Sequence, residues 1–131
     1  LIDDSYNASP ASMSSGLISV HKLYAQKPLF LILGDMLELG AESLKQHKYI
    51  GRLCAKEIKP DFLLTVGKLA KNIALAAKED GFSPKKTMSF VDVSAILESN
   101  LDFIQENSVI YIKASNGINL KRLVQKLQED L

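Results

Sequence analysis

The sequence predicts an open, mostly parallel α/β sheet of the Rossmann-like kind, with helices on both faces. Three observations carry this. Five short apolar or β-branched runs recur along the chain, and each is followed by a stretch of helical periodicity. The runs are continuous rather than alternating, as expected of strands buried on both sides. At 131 residues the chain is the length of one domain, so this alternation describes one sheet and not two.

The predicted strands are Leu1–Asp3, Leu29–Leu33, Phe62–Val66, Thr87–Phe90 and Val109–Ile112. Ser9-Pro10 opens the first helix, a capping hydroxyl followed by the residue that best suits the first helical position. Its apolar residues Met13, Leu17, Val20, Leu23 and Tyr24 recur every three or four positions. A second helix is expected from about Ala41 to Ile58, stopped by Pro60. The third, Lys68 to Asp80, buries Leu69, Ile73 and Ala76 and ends at Gly81. Asp92 caps a fourth helix that carries Ala95, Ile96, Leu101 and Ile104. The last runs from about Ile118 to Asp130.

Composition narrows the function classes. Apolar residues make up 47% and charged residues 24%, which excludes a disordered or fibrous chain. A net charge of +1 offers no field that would gather nucleic acid or an anionic membrane. Apolar runs such as Leu29–Leu33 are far too short to cross a bilayer. The single cysteine, Cys54, cannot pair within the chain, so a reducing, cytoplasmic setting is expected. The chain opens on Leu1-Ile2-Asp3-Asp4, which reads as the middle of a strand and raises the expectation of a piece of a longer protein.

In such sheets ligands sit beyond the carboxyl ends of the strands. That rule gathers Asp3 to Asn7, then Gly34, Asp35 and Glu38, then Gly67-Lys68, and finally Lys113, Ser115, Asn116 and Gly117 on one edge. Each also has a plainer reading. Ser9, Asp92 and Asn116 have the chemistry of helix caps, and Asp3-Asp4 that of a solvated turn. Gly34 and Gly67 suit tight turns, and Cys54 suits a core. His21 and His47 have no partner at metal-ligand spacing, so both are expected in surface or half-buried structural roles. Neither a G-x-x-x-x-G-K-[ST] phosphate loop nor a G-x-G-x-x-G fingerprint is present. The fold suits a nucleotide, while the residues that grip phosphates are missing.

The segment Ile2-Asp3-Asp4-Ser5-Tyr6-Asn7-Ala8-Ser9-Pro10 closely resembles the IDDSYNANP that opens the C-terminal domain of the MurF branch of the Mur ligase family. Leu33-Gly34-Asp35-Met36-Leu37-Glu38-Leu39-Gly40 resembles that branch's LGDMLELG, with Glu42, His47 and Gly51 following at its spacing. Val66-Gly67 is similar to its next strand end. Where the family has KGSR, this chain has Lys113-Ala114-Ser115-Asn116, losing a glycine's freedom and an arginine's charged fork.

The resemblance implies one domain over 1–131, the third of a three-domain, ATP-dependent ligase of bacterial peptidoglycan synthesis. Such an enzyme joins D-alanyl-D-alanine to UDP-MurNAc-tripeptide through an acyl phosphate, and the isolated domain is expected to be inactive. ATP and Mg2+ would be held mainly by a central domain on which this one packs, in a monomer. By position in the motif, Asp4 would take the ribose hydroxyls, with Ser5, Tyr6 and Asn7 along the same nucleotide edge. Lys113, Ser115 and Asn116 would face the dipeptide or the transferring phosphate. Asp35 and Glu38 would shape a turn or orient the attacking amine. No catalytic residue and no metal ligand is assigned. A ligase for another amine, and a docking domain that has left catalysis behind, remain the alternatives.

Overall fold

The computed structural model describes residues 1–130. Five strands form one parallel sheet: β1 (Ile2–Asp4), β2 (Leu29–Gly34), β3 (Phe62–Val66), β4 (Thr87–Phe90) and β5 (Val109–Lys113), in the order β1-β5-β2-β3-β4. Register aligns their carboxyl ends, because Asp4 and Leu33 both pair with Lys113, Gly34 with Val66, and Val66 with Phe90. The edge forecast from the sequence is therefore one continuous line.

Five α-helices cover the sheet: α1 (Pro10–Leu23), α2 (Ser43–Leu53), α3 (Lys71–Glu79), α4 (Val93–Glu98) and α5 (Lys121–Asp130). Alternation along the strands divides the core in two. Leu29, Leu31 and Leu33 of β2 pack with Met13, Ile50 and Ile73 of α1, α2 and α3. Phe30 and Ile32 pack on the other face with Ile96 of α4 and Leu123 of α5. The face changes because the chain reverses direction across the sheet after β4, and right-handed crossovers then place the next helices opposite.

The second predicted helix is three pieces: a 3-10 turn at Gly40–Glu42, then α2, then a π-helical turn at Cys54–Ile58. Lys59 closes it at φ 50°, in the left-handed region, just before Pro60. Gly51 lets α2 and α3 meet, since a Cβ there would lie 2.2 Å from the Ile73 carbonyl oxygen.

The fourth helix is shorter than the apolar spacing forecast. It stops at Glu98, and Leu101 and Ile104 reach the core from an irregular segment. Local side-chain bonding explains the stop. Ser99 donates its Oγ to the Ile96 carbonyl at 2.6 Å, and Asn100 Oδ1 accepts the Asp102 N–H at 2.8 Å. The start of the last helix shifts likewise, because Asn119 takes φ 60° between a 3-10 turn at Asn116–Ile118 and α5.

Candidate functional site

The β1–α1 connection is built by its own side chains. Asp3 Oδ1 accepts both the N–H (3.0 Å) and the Oγ (2.5 Å) of Ser5, a tight Asx-type turn that buries Ser5. Ser9 then caps α1 in a reciprocal box with Ser12. Between these anchors Tyr6 is turned out, 76% exposed, and Asn7 is exposed beside it.

Asp4 pairs with β5 across the sheet edge and faces α1. Its Oδ2 accepts from Lys113 Nζ at 2.7 Å and from the Tyr111 hydroxyl at 2.8 Å. Lys113 Nζ also donates to the Asn7 carbonyl at 3.1 Å. The lysine thus ties the connection to β5, the strand beside β1, and its ammonium is already occupied. Gly16 makes room for the phenol, since a Cβ there would lie 2.1 Å from its oxygen. Burial, then the hydrogen bond to Asp4 and the charge on that carboxylate, hold the Tyr111 phenol well above its ordinary pKa.

Ser115 joins three strand ends. Its N–H donates to the Asp35 carbonyl at 3.0 Å, its Oγ accepts the Leu37 N–H at 2.9 Å, and that Oγ lies 3.4 Å from the Ala8 carbonyl. Asp35 is buried, and its Oδ1 accepts the Ala70 N–H at 2.6 Å, stitching β2 to the start of α3. Gly67 is required there twice over: its φ is +118°, and a Cβ would lie 2.3 Å from Asp35 Oδ1. Glu38 is exposed at φ 65°. Asn116 is exposed at the start of its 3-10 turn.

One expectation is sharpened by this geometry, and two residues are added to the site. Ala114 is absent from the positive-φ residues, so replacing glycine there strains nothing. It is buried, and Gly34 fits against it: a Cβ on Gly34 would lie 2.6 Å from Ala114 Cβ. Tyr111 and Gly16 were not foreseen as site residues, because Tyr111 falls in a run that reads only as core strand. A tyrosine within such a run was the available signal, since a buried hydroxyl needs a partner.

A parallel sheet with a carboxylate–lysine–tyrosine cluster and exposed polar side chains at its carboxyl edge belongs to the class of open α/β domains whose ligands sit beyond the strand ends. The family profile of the Mur ligase, glutamate ligase domain matches residues 1–116, and the chain belongs to the Mur ligase family. It is 33% identical over 129 residues to the UDP-N-acetylmuramoyl-tripeptide–D-alanyl-D-alanine ligase of Bacillus subtilis, covering 98% of this chain and 28% of that protein. With the Escherichia coli ligase of the same name the identity is 32% over 132 residues, covering 99% and 27%. Among solved structures, a MurF from Acinetobacter baumannii superposes with a TM-score of 0.77 at 27% identity, over 97% of this chain and 27% of that one. The MurF of Thermotoga maritima in complex with ADP shares the fold, with a TM-score of 0.73 at 22% identity over 97% and 27%. The chain thus spans just over a quarter of the length of these relatives.

Proposed function

We propose that this chain is the C-terminal domain of a longer ATP-dependent ligase that joins D-alanyl-D-alanine to UDP-MurNAc-tripeptide in the cytoplasm during peptidoglycan precursor synthesis. The observation that carries the reading is the state of Asp4. Lys113 and Tyr111 both hold its Oδ2, while the side chain stays 44% exposed between the strand edge and Tyr6-Asn7. A carboxylate fixed on one oxygen and open on the other suits a pair of ribose hydroxyls. The likeness to the named ligases supplies the rest.

The residues present fit a nucleoside better than a metal. Tyr6 offers an exposed ring and Asn7 an exposed amide beside Asp4. Among the described residues, no three His, Cys, Asp or Glu side chains converge to hold a cation. The family resemblance assigns Mg2+ to a central domain on which this one would pack. ATP, when bound, supplies the phosphoryl group that activates the tripeptide carboxylate as an acyl phosphate.

This chain's residues position and enclose. Lys113 fixes Asp4 and the Asn7 carbonyl, so the nucleotide-facing loop needs no reordering when the domain closes. Ser115 links the ends of β1, β2 and β5, and holds the edge of the site as one piece. No side chain here is placed as a general base. The work of the domain is orientation and exclusion of water.

Phosphate release tests the reading in the full-length protein given ATP, Mg2+ and UDP-MurNAc-tripeptide, with and without D-alanyl-D-alanine. Dipeptide-dependent release is expected. Release that depends on another amine, or none from a folded protein, would overturn it.

A further inference from the structure

Two side chains hold Asp4 Oδ2, and they hold it differently. Lys113 belongs to a segment that resembles the family, whereas Tyr111 and its neighbour Gly16 lie outside every such segment. The lysine brings a charge on a flexible stem, with three rotatable donors that follow the carboxylate wherever it swings. The tyrosine brings a single O–H on a rigid ring. Register sets Lys113 opposite Asp4 and Tyr111 opposite Ile2, so the two donors rise from successive positions on one face of β5.

The ring has nowhere else to go. Tyr111 is buried, and α1 closes over it at Gly16, where a Cβ would lie 2.1 Å from the phenol oxygen and 3.8 Å from Asp4 Oδ2. Burial and the adjacent carboxylate keep the phenol protonated, so it stays a donor. A carboxylate offers roughly four acceptor sites, two on each oxygen. Lys113 and Tyr111 occupy those of Oδ2, and Oδ1 has no hydrogen-bond partner among the described residues. What remains is one oxygen with two free lone pairs, fixed in direction by the phenol. Two neighbouring hydroxyls can share it; a phosphate, which only accepts, gains nothing there.

We propose that Tyr111 is a positioning residue that acts through Asp4 and makes the domain select a ribose over a sugar without hydroxyls, a role that rests on the ligase reading above. Tyr111 touches no substrate. Lys113 alone keeps Asp4 charged and in place, while the phenol sets which way Oδ1 points. Gly16 is the gap that admits the phenol to this position.

The test uses the full-length protein, the variants Tyr111→Phe and Gly16→Ala, and two nucleotides: ATP and 2′,3′-dideoxy-ATP, which keeps the triphosphate and lacks both hydroxyls. The wild type is expected to show a KM for ATP about tenfold below that for the dideoxy nucleotide, the scale of hydrogen bonds to a charged group. Tyr111→Phe should raise the KM for ATP toward the dideoxy value and leave the KM for the dideoxy nucleotide and for D-alanyl-D-alanine as they are. Gly16→Ala, whose Cβ displaces the phenol, should reproduce that loss and add nothing to it in the Tyr111→Phe background. A purely structural role would lower stability without moving the ratio of the two nucleotide KM values. A wild-type ratio retained in Tyr111→Phe, with phosphate release still dependent on the dipeptide, overturns the role of Tyr111 alone. Equal KM values in the wild type overturn ribose selection by Asp4 and by Tyr111 together. Phosphate release that ignores the dipeptide overturns the ligase reading itself.

Discussion

Lys113 Nζ lies 2.7 Å from Asp4 Oδ2, yet the two side chains differ sharply in exposure, at 3% for the lysine and 44% for the aspartate. The pair is a buried cation under a half-open carboxylate. Removing one partner therefore has unequal consequences. In Asp4→Ala the ammonium stays buried with only the Asn7 carbonyl for company, and the loss should approach about 3–5 kcal/mol. In Lys113→Met the carboxylate turns to water, and about 1–2 kcal/mol should suffice. Urea unfolding of the two variants checks the order; a costlier Lys113→Met would mean that the exposed carboxylate does not anchor the lysine. In the full-length enzyme Asp4→Ala should raise the KM for ATP more than that for the dipeptide. That ratio is insensitive to the fraction folded.

The contact between Gly16 and Tyr111 makes a second prediction. A Cβ at Gly16 would sit 2.1 Å from the phenol oxygen and 3.2 Å from Cζ. Gly16→Ala should cost about 1–3 kcal/mol by overpacking, even though alanine favours the helix. In a Tyr111→Phe background the nearest atom is gone, and the cost should largely vanish. A double-mutant cycle by denaturation measures the coupling; additive effects would place the strain elsewhere.

Alkaline pH tests the core through Cys54. Burial pushes its thiol from the ordinary 9.0 up to about 12. Above pH 9 the unfolded chain releases this proton while the folded chain keeps it, so stability falls as pH rises through that window. One proton contributes a slope of at most about 1.4 kcal/mol per pH unit. Tyr111, also raised, acts in the same direction. Cys54→Ala should flatten the fall in unfolding free energy between pH 9 and pH 11 whatever it does to stability at neutral pH. A slope equal to that of the wild type would show the thiol to be solvated.

How much was legible in the sequence follows the range of the interactions. Phe62–Val66 begins and ends where its apolar run does, because burial of Leu63 to Val66 leaves little else for those residues to become, and the edge strand Thr87–Phe90 keeps its expected bounds although none of its residues is fully buried. Leu101 and Ile104 misled, since their spacing is helical while Ser99 and Asn100 divert the backbone between them. Asp4 through Asn7 lie at the carboxyl end of β1, on the edge that the strand-end rule picks out. The partners of Asp4 lie more than a hundred positions away along the chain, a pairing that only strand order reveals. His47, expected at the surface or half-buried in a structural role, is instead fully buried, and it holds structure through a network no spacing shows.

That network makes the last prediction. His47 is fully buried, and both ring nitrogens are used. Nδ1–H donates to the Ser43 carbonyl at 2.7 Å, which leaves Nε2 to accept the Met36 N–H at 3.0 Å. One residue further on, the Leu37 N–H reaches Ser115 Oγ, and the Ser115 N–H returns to the Asp35 carbonyl. The imidazole thus sets the path of the loop that holds Ser115 against the other strand ends. His47→Ala should cost about 2–4 kcal/mol, combining a cavity with an unpaired buried amide. Amide hydrogen exchange should quicken at Met36, and with it at Leu37 and Ser115. His47→Gln, whose amide oxygen can accept from Met36, should recover much of that protection. If Met36 alone exchanges faster while Leu37 and Ser115 keep their protection, the loop is held without the histidine, and Ser115 owes its position to the Asp35 carbonyl.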